Sequence, residues 1–547
     1  VAADAYLLNQ AIEALRSYSL IVHNPHFQTL SIHRLVQIVL RDSMTAETRK
    51  QWAEWAVQIV QAGHPNERDI ERWDACERWL PHMLMCADWI EQEKVTTPEA
   101  VRLLNEAGYY LDARARYTEA ELLFKQALEI CEQQLRADPL DIITSLDNLG
   151  VLYHNRGRYS EAEPLFKRAL EICEQQLGPK HPRTAHSLSN LALLYREQGK
   201  YEQAEPLLKQ ALTIREEQLG TEHPETAGSL GNLGAFYRMR GKYEQAESLL
   251  KRALEICERQ WGIEHPETAT SINNLANLYF DQQKYAEAEP LFKRALSIRK
   301  QQLGSHHPET ASSLNNLASL YVKQKKYREA EVLYQQALRI YEEQLGVEHS
   351  HSLMSLNSLA GLYKVQKKHA EAEPLYRRVL AVNEQLLGAT HPDILDSLNS
   401  LVDLYHQQGK YAEVEPLLQQ ALTIGERHSG VQHPSIALSL NNLAAHYYTQ
   451  HKYEEAELLY QYGLQFLRQP SGTEHPNAAI ILYNLGLLYK TLGKYAEAEL
   501  WLKRALVIFE NVLGQNDPRT QTFRKHYAML RRSIECGTEE KPLEEGS

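Results

Sequence analysis

Histidine recurs in this sequence immediately before proline, and histidine is a common ligand of transition metals. A metal site needs ligands that converge on one point. These histidines instead recur at intervals of 42 residues, with one interval of 84, so they are spread along the chain. We expect them to cap helices. The column comprises His181, His223, His265, His307, His391, His433 and His475. We therefore predict no metal site and no cofactor in this chain.

Catalytic motifs are lacking in residues 101 to 547. The sequence there contains no GxxxxGK[ST] phosphate loop, no HExxH, no GxSxG and no zinc-type pair of cysteines. The six cysteines are scattered and none forms a CxxC pair, which is typical of reduced, intracellular thiols. We predict that the chain is not an enzyme, although a parent protein with further domains could be one.

Asparagine occupies a second column, inside segments that otherwise predict helix. Asparagine is a mediocre helix former, because its amide competes for main-chain hydrogen bonds. Its recurrence has two explanations: a bond to a neighbouring helix, or a grip on the main chain of a bound peptide. The column comprises Asn148, Asn190, Asn232, Asn274, Asn316, Asn442 and Asn484, interrupted by Ser358 and Ser400.

Residues that vary between copies lie one and two turns further along the same predicted helix face. Arg196 and Arg238, beside Asn190 and Asn232, could pair with a ligand carboxylate; a solvated surface charge is the alternative. The predicted peptide-binding groove comprises Asn190, Arg196, Asn232, Arg238, Asn274, Phe280, Asn316, Lys323, Lys364, Asn442 and Tyr448.

These columns exist because the chain repeats one unit. The segment "NLGVLYHNRGRYSEAEPLFKRAL" from Asn148 returns as "NLALLYREQGKYEQAEPLLKQAL" from Asn190, 42 residues later, and about ten such units fill residues 101–520. Each unit predicts two helices joined at "GKY" or "QKY" and ending at a glycine, followed by "HPET". One helix pair cannot bury its apolar face alone, so the pairs are expected to stack into an all-α, right-handed superhelical solenoid.

The unit resembles the tetratricopeptide repeat in its Leu–Gly/Ala pair, its following Tyr, the alanine of "YxEA" and the later "F/L-x-x-A-L". The 42-residue length and the "LGxxHPxT" turn resemble the kinesin-light-chain variety. The resemblance implies a concave groove that binds a protein or peptide, and it places the asparagine column in that groove.

The first hundred residues follow another pattern. "SLIVHN" and "QTLSIH" predict a short β-hairpin between helices, which suggests a winged-helix-like domain over residues 1–45. Residues 46–100 predict a helical connector to the repeats. Residues 521–547 predict a capping helix and a loose acidic tail.

A second resemblance rests on "ALRSYSLI" and "LSIHRLVQIVLRD". These segments look like the end of the NB-ARC module of STAND signalling ATPases. The resemblance implies that His33 contacts ADP bound by an upstream domain, where ADP or ATP would be the cofactor. It further implies a sensor that is autoinhibitory until a trigger binds, oligomer formation on activation, and a role in bacterial defence. The alternative is a free-standing scaffold of the kinesin-light-chain kind that docks peptide partners.

Charge and hydropathy indicate whether nucleic acid or a membrane is a partner of this chain. The chain has 547 residues and a net charge of −12, which argues against nucleic acid as a ligand. No run of 18 apolar residues occurs, so we expect no membrane span and a cytoplasmic location. The N-terminus has no charged start and no apolar segment of signal type, and it lacks an initiator methionine; the missing methionine suggests a piece of a longer protein.

Overall fold

The computed structural model describes residues 21–24, 29–32, 43–63, 73–133, 138–389, 391, 394–427, 434–465, 467, 476–515 and 517–536. Apart from one β-hairpin, the regular elements of this part of the chain are helices. The described residues divide into two compact units. Unit 1 comprises Val1–Leu111 and Thr118–Ser145, and unit 2 comprises Asp112–Tyr117 and Leu146–Ser547.

Unit 1 contains the hairpin and the first helices. Strand β1 (Ile21–Asn24) pairs antiparallel with β2 (Thr29–Ile32), with Ile21 opposite Ile32. The winged-helix fold stays a prediction, since residues 1–20 and 33–42 lie outside the described part. Helices α1 (Ala46–Gly63) and α2 (Trp73–Gln92) pack together and precede the first repeat.

Helices α3 to α22 form ten helix pairs that follow one another along the chain, as the repeats predict; the first pair belongs to unit 1, and the pairs from α7 onward form a solenoid in unit 2. They are α3 (Pro98–Ala113), α4 (Tyr117–Gln133), α5 (Pro139–Asn155), α6 (Tyr159–Ile172, extended by a π-helical turn, Cys173–Leu177), α7 (Pro182–Glu197), α8 (Tyr201–Gln218), α9 (Pro224–Met239), α10 (Tyr243–Gln260), α11 (Pro266–Asp281), α12 (Tyr285–Gln302), α13 (Pro308–Lys323), α14 (Tyr327–Gln344), α15 (Ser350–Val365), α16 (His369–Leu387), α17 (Leu395–Gln408), α18 (Tyr411–Arg427), α19 (Pro434–Thr449), α20 (Tyr453–Gln465), α21 (Pro476–Thr491) and α22 (Tyr495–Leu513). A last helix, α23 (Pro518–Cys536), follows them.

Small residues let the two helices of a pair approach closely. A β-carbon on Gly150 would stand 2.6 Å from the ring of Phe166, and one on Gly234 would stand 2.7 Å from Leu250. The alanine of "YxEA" is fully buried in the second helix, as at Ala288 and Ala330. This confirms the predicted contact between the helices of each pair, which leaves no room there for a larger side chain.

The glycine after each second helix adopts a conformation that other residues avoid. Gly178 has φ 100° and ψ 152°, a region essentially restricted to glycine. Its main-chain oxygen accepts a hydrogen bond from the hydroxyl of Thr184 at 2.8 Å, and Gly220 and Thr226 repeat the arrangement. The "LGxxHPxT" motif is therefore the turn that connects one unit to the next.

In unit 2 the first helices form the inner layer of the array. First helices of successive pairs contact one another, for example α9 with α11 and α19 with α21, whereas successive second helices in the described part make fewer contacts. In a curved array the layer with the closer helices lies on the inside of the curve. The asparagine column belongs to this layer.

Candidate ligand-binding face

Three asparagines of the column have structural partners. Asn190 donates a hydrogen bond to the carboxylate of Asp147 at 3.2 Å, on the first helix of the preceding pair. Asn442 donates in the same way to the side chain of Asn399 at 2.9 Å, and Asn484 to Asn441 at 2.8 Å. At these positions the amide ties neighbouring first helices together, as the structural explanation expects.

Asp147 makes the Asn190 position a buried polar site. Its carboxylate is 3.3 Å from the guanidinium of Arg183. Burial raises the pKa of Asp147 to about 6, while Arg183 and the Asn190 amide act in the opposite direction. A buried acid held by two partners is part of the core, so this end of the column offers little to a ligand.

Asn232, Asn274 and Asn316 differ from the others. Each is half-buried on its first helix, and among the described residues none has a hydrogen-bond partner. The residue that would pair with Asn274, one repeat earlier, is Gly231, which has no side chain. The three free amides belong to α9, α11 and α13, the first helices of three consecutive pairs, and share one repeat position, so they form a short ladder on the inner layer.

Most of the predicted charged and polar groove residues are paired within the chain. Arg196 donates a hydrogen bond to the neighbouring Glu197 at 2.6 Å, and Arg238 donates one to Asp281 of the next first helix at 2.7 Å. Lys364 bonds Asp403 at 2.5 Å. The hydroxyls of Tyr448 and Thr491 are 2.7 Å apart. A ligand carboxylate would therefore have to compete with an existing partner at each of these cations.

Two of the predicted residues remain available near the free asparagines. Lys323 is exposed and has no partner among the described residues. Phe280 is half-buried, with its ring 5.9 Å from that of Tyr285. Met239, at the end of α9, is 40% exposed. The part of the inner layer from α9 to α13 thus combines free amides, apolar side chains and one free cation.

The structure adds a buried column that the sequence analysis did not separate from the first. In two units the residue before the column asparagine donates a hydrogen bond forward to a serine of the next first helix: Asn273 to Ser313 at 3.2 Å and Asn315 to Ser355 at 2.6 Å. The signal was the "NN" doublet, in which one amide is buried and structural and its neighbour faces the inner surface.

The recurring histidines cap the first helices. The Nδ1 atom of His223 accepts the main-chain N–H of Glu225 at 3.2 Å, and His265 and His307 do the same for Glu267 and Glu309. This confirms the predicted capping role. In the part of the chain that the structure covers, no three potential metal ligands cluster.

Two further observations concern partners. None of the helices described is long and apolar enough to cross a bilayer. His33, the predicted nucleotide contact, lies outside the described residues.

A family model described as "Tetratricopeptide repeat" matches residues 141–217, 205–259, 225–301, 267–343, 351–427 and 435–511, and a second model of the same description matches residues 101–135. The chain belongs to the tetratricopeptide repeat family. Repeats of this family are a non-catalytic fold for protein interaction. No curated protein matches the chain.

Several solved structures are similar to this tetratricopeptide repeat protein. A variant of a putative kinesin light chain from Podospora anserina is 28% identical and covers 37% of this chain and 95% of its own, with a TM-score of 0.32. BtubC from P. vanneervenii is 20% identical over 48% of this chain and 95% of its own, with a TM-score of 0.34. A STAND protein with a tetratricopeptide repeat sensor from Pyrococcus horikoshii is 16% identical over 83% of this chain and 58% of its own, with a TM-score of 0.40.

Proposed function

We propose that the inner layer of unit 2 binds an extended segment of a partner protein, held by Asn232, Asn274 and Asn316. The observation that carries this proposal is their lack of a partner, in contrast to Asn190 and Asn442. A side-chain amide offers donors and an acceptor, which matches the alternating N–H and C=O groups of an extended peptide.

The spacing of the ladder fits such a ligand. Packed helices lie about 8–10 Å apart, and an extended chain rises about 3.3 Å per residue. Successive asparagines would therefore contact the peptide main chain about every third residue. The side chains between the contacts would reach Phe280, Met239 and Lys323, which favours a ligand with an apolar residue and an acidic residue.

Selection from a displayed peptide library against the full chain, followed by calorimetry with the selected peptide, tests the ladder. We expect the triple substitution Asn232→Ala, Asn274→Ala and Asn316→Ala to weaken binding and to leave the helical content and melting temperature unchanged. The matched control is Asn190→Ala with Asn442→Ala, which should lower stability by about 1 kcal/mol per lost hydrogen bond and preserve affinity. Equal affinity of the triple variant and the parent would exclude the ladder.

In the wider protein, we propose that this region is the ligand-sensing and autoinhibitory part of a cytoplasmic STAND-type ATPase. The support is the resemblance of "LSIHRLVQIVLRD" to the end of an NB-ARC module, with His33 as the group that contacts ADP. Binding of the trigger would favour the active, oligomeric state, because a ligand shifts an equilibrium by its differential affinity for the two states. Bacterial defence is the role we propose for such a sensor.

The residues that precede Val1 in the parent protein decide between this role and the alternative. A GxxxxGK[ST] loop on a strand-to-helix turn would support the ATPase, and in that protein His33→Ala should accelerate ADP release. Unchanged ADP release would remove the role of His33. A parent protein without a phosphate loop would favour the scaffold of kinesin-light-chain type, which the 42-residue unit and its "LGxxHPxT" turn also support.

A further inference from the structure

Two arginines of unit 2 contact the ends of helices that lie far along its sequence. Arg156 donates a hydrogen bond to the main-chain oxygen of Leu386 at 3.1 Å, and Arg114 donates to the main-chain oxygen of Gln344. Both pairs are separated by 230 residues. The acceptors lie at the ends of α16 and α14, where unsatisfied carbonyls favour a cation. Successive superhelical turns of unit 2 therefore touch at these points.

A tyrosine contributes to the same contact. Arg156 lies over the ring of Tyr117, with its guanidinium carbon 5.4 Å from the ring centroid. Burial raises the pKa of Tyr117 to about 12, and the nearby main-chain N–H and side chain of Ser350, at the start of α15, act in the opposite direction. The rings of His349 and His351 stack on each other at 5.0 Å beside this position.

The residues of this contact depart from the repeat pattern. Ser350 stands where other units have a proline, so a main-chain N–H and a hydroxyl lie here that proline does not supply. The position of Arg114 and Arg156 is glutamine in most other units. The equivalent glutamines are Gln198, Gln282, Gln324, Gln366, Gln408 and Gln450. Arg240 has arginine at the same position and lies over the ring of Tyr201, so the contacts of Arg114 and Arg156 with Gln344 and Leu386, and not the arginine alone, distinguish this place.

Further along unit 2 the two turns face each other across a cleft of about 1420 Å³. Gln283 and Lys284, after α11, line one side, and Gly514 and Gln515, before α23, line the other. The separation in sequence is again about 230 residues. The turns of unit 2 thus meet at polar contacts in one place and leave a gap in another.

We propose that Arg114, Arg156, Tyr117 and Ser350 form a latch that holds successive superhelical turns together and restricts entry of a ligand to the inner layer. Hydrogen bonds at such a contact can be exchanged for bonds to water, so the latch can open. A protein partner would have to open the latch or enter as an unfolded segment. The gating part of this inference rests on the proposed function, whereas the latch itself does not.

Chemical labelling of the inner layer tests the latch without a partner. Asn274→Cys, in a chain with Cys536→Ser, would be labelled with a small maleimide and with a bulky polyethylene-glycol maleimide. The other five native cysteines are buried. We expect Arg114→Ala with Arg156→Ala to raise the ratio of bulky to small labelling rates several-fold. The matched control, Gln366→Ala with Gln408→Ala, changes the same repeat position and should leave the ratio unchanged.

Ser350→Pro provides a second variant that is expected to fold, since proline is the usual residue there and suits the first turn of a helix. It should also raise the labelling ratio and, in small-angle X-ray scattering of the full chain, the maximum dimension. If neither variant changes the ratio or the scattering curve relative to the control, the latch is refuted.

The selected peptide then tests the gating. A several-fold faster association with the latch variants supports it, and an unchanged association rate with an expanded variant overturns it. If no peptide binds the parent or any variant, the proposed function fails, while the labelling ratio and the scattering still decide the latch.

Discussion

The amide nitrogen of Asn274 lies 3.6 Å from the point where a β-carbon on Gly231 would stand. At the corresponding place in other units, Asp147 and Asn399 accept the hydrogen bond of the following asparagine. Position 231 has no side chain that could accept a hydrogen bond from Asn274. A substitution that places an acceptor there should pair with the Asn274 amide.

Gly231→Asn is expected to pair with Asn274 and to weaken peptide binding. The loss should be about 0.5–1.5 kcal/mol, which is the usual net value of one hydrogen bond. Calorimetry with the selected peptide measures it. Gly231→Ala is the control. It also removes a glycine from the helix interior, which should stabilise the helix by about 0.5–1 kcal/mol, but alanine provides no hydrogen-bond acceptor for Asn274. Equal weakening by both substitutions would mean that the extra bulk, and not the capture of Asn274, is responsible.

Ala288→Leu should destabilise the solenoid by about 1–3 kcal/mol, since Ala288 is fully buried between the helices of its pair and extra methyl groups must displace neighbours. Urea unfolding followed by circular dichroism measures the change. Ala286→Leu, two residues earlier on the exposed side of α12, is the control and should have little effect. Parent-like unfolding of Ala288→Leu would contradict the packing described for α11 and α12.

His446 should make unit 2 sensitive to acid. It is fully buried at a position that is leucine in the neighbouring units, as at Leu404 and Leu488, and its Nδ1 atom has no partner. Burial, together with the nearby His406, lowers the pKa of His446 in the folded protein. The unfolded chain, with an ordinary histidine pKa of about 6.5, then binds more protons, so stability falls as the pH drops below about 6.5.

His446→Leu should therefore stabilise the protein, and the gain should be larger at pH 5.5 than at pH 7.5. The two values lie on either side of about 6.5, the ordinary histidine pKa in the unfolded chain. Urea midpoints at the two pH values give the difference. Exposed His306, replaced by Gln, serves as the control. A gain that is the same at both pH values would show that leucine improves packing but that protonation of His446 plays no part.

Lys325→Gly should stabilise the turn between α13 and α14. Lys325 has φ 61°, in the left-handed region that glycine adopts without strain. The gain should be up to about 1 kcal/mol, because the relief of strain exceeds the entropic cost of glycine. Gly409→Lys is the reverse exchange, at φ 70° with no heavy atom near its β-carbon position, and should lose a similar amount. Chemical denaturation that shows both exchanges to be destabilising would contradict the strain at Lys325.

The sequence was sufficient for features that repeat within one unit. The two helices, the buried alanine at Ala288 and the histidine cap at His265 all depend on contacts over a few residues or between adjacent helices. The Arg238–Asp281 pair was not predicted, because it depends on how far one first helix slides along the next. The contact of Arg156 with Leu386 depends on the pitch of the superhelix, which the period of 42 residues does not specify.

The contacts at a separation of 230 residues limit how this chain can lengthen or shorten. Several junctions between units use the same bond, as when Tyr237 donates to Glu205 and Tyr279 donates to Glu247. A duplication or loss of one whole unit in the gene would therefore preserve junctions of this kind. The same event between Arg156 and Leu386 would bring a different helix end opposite the arginine. The number of units in this interval is thus coupled to a contact that no single unit contains.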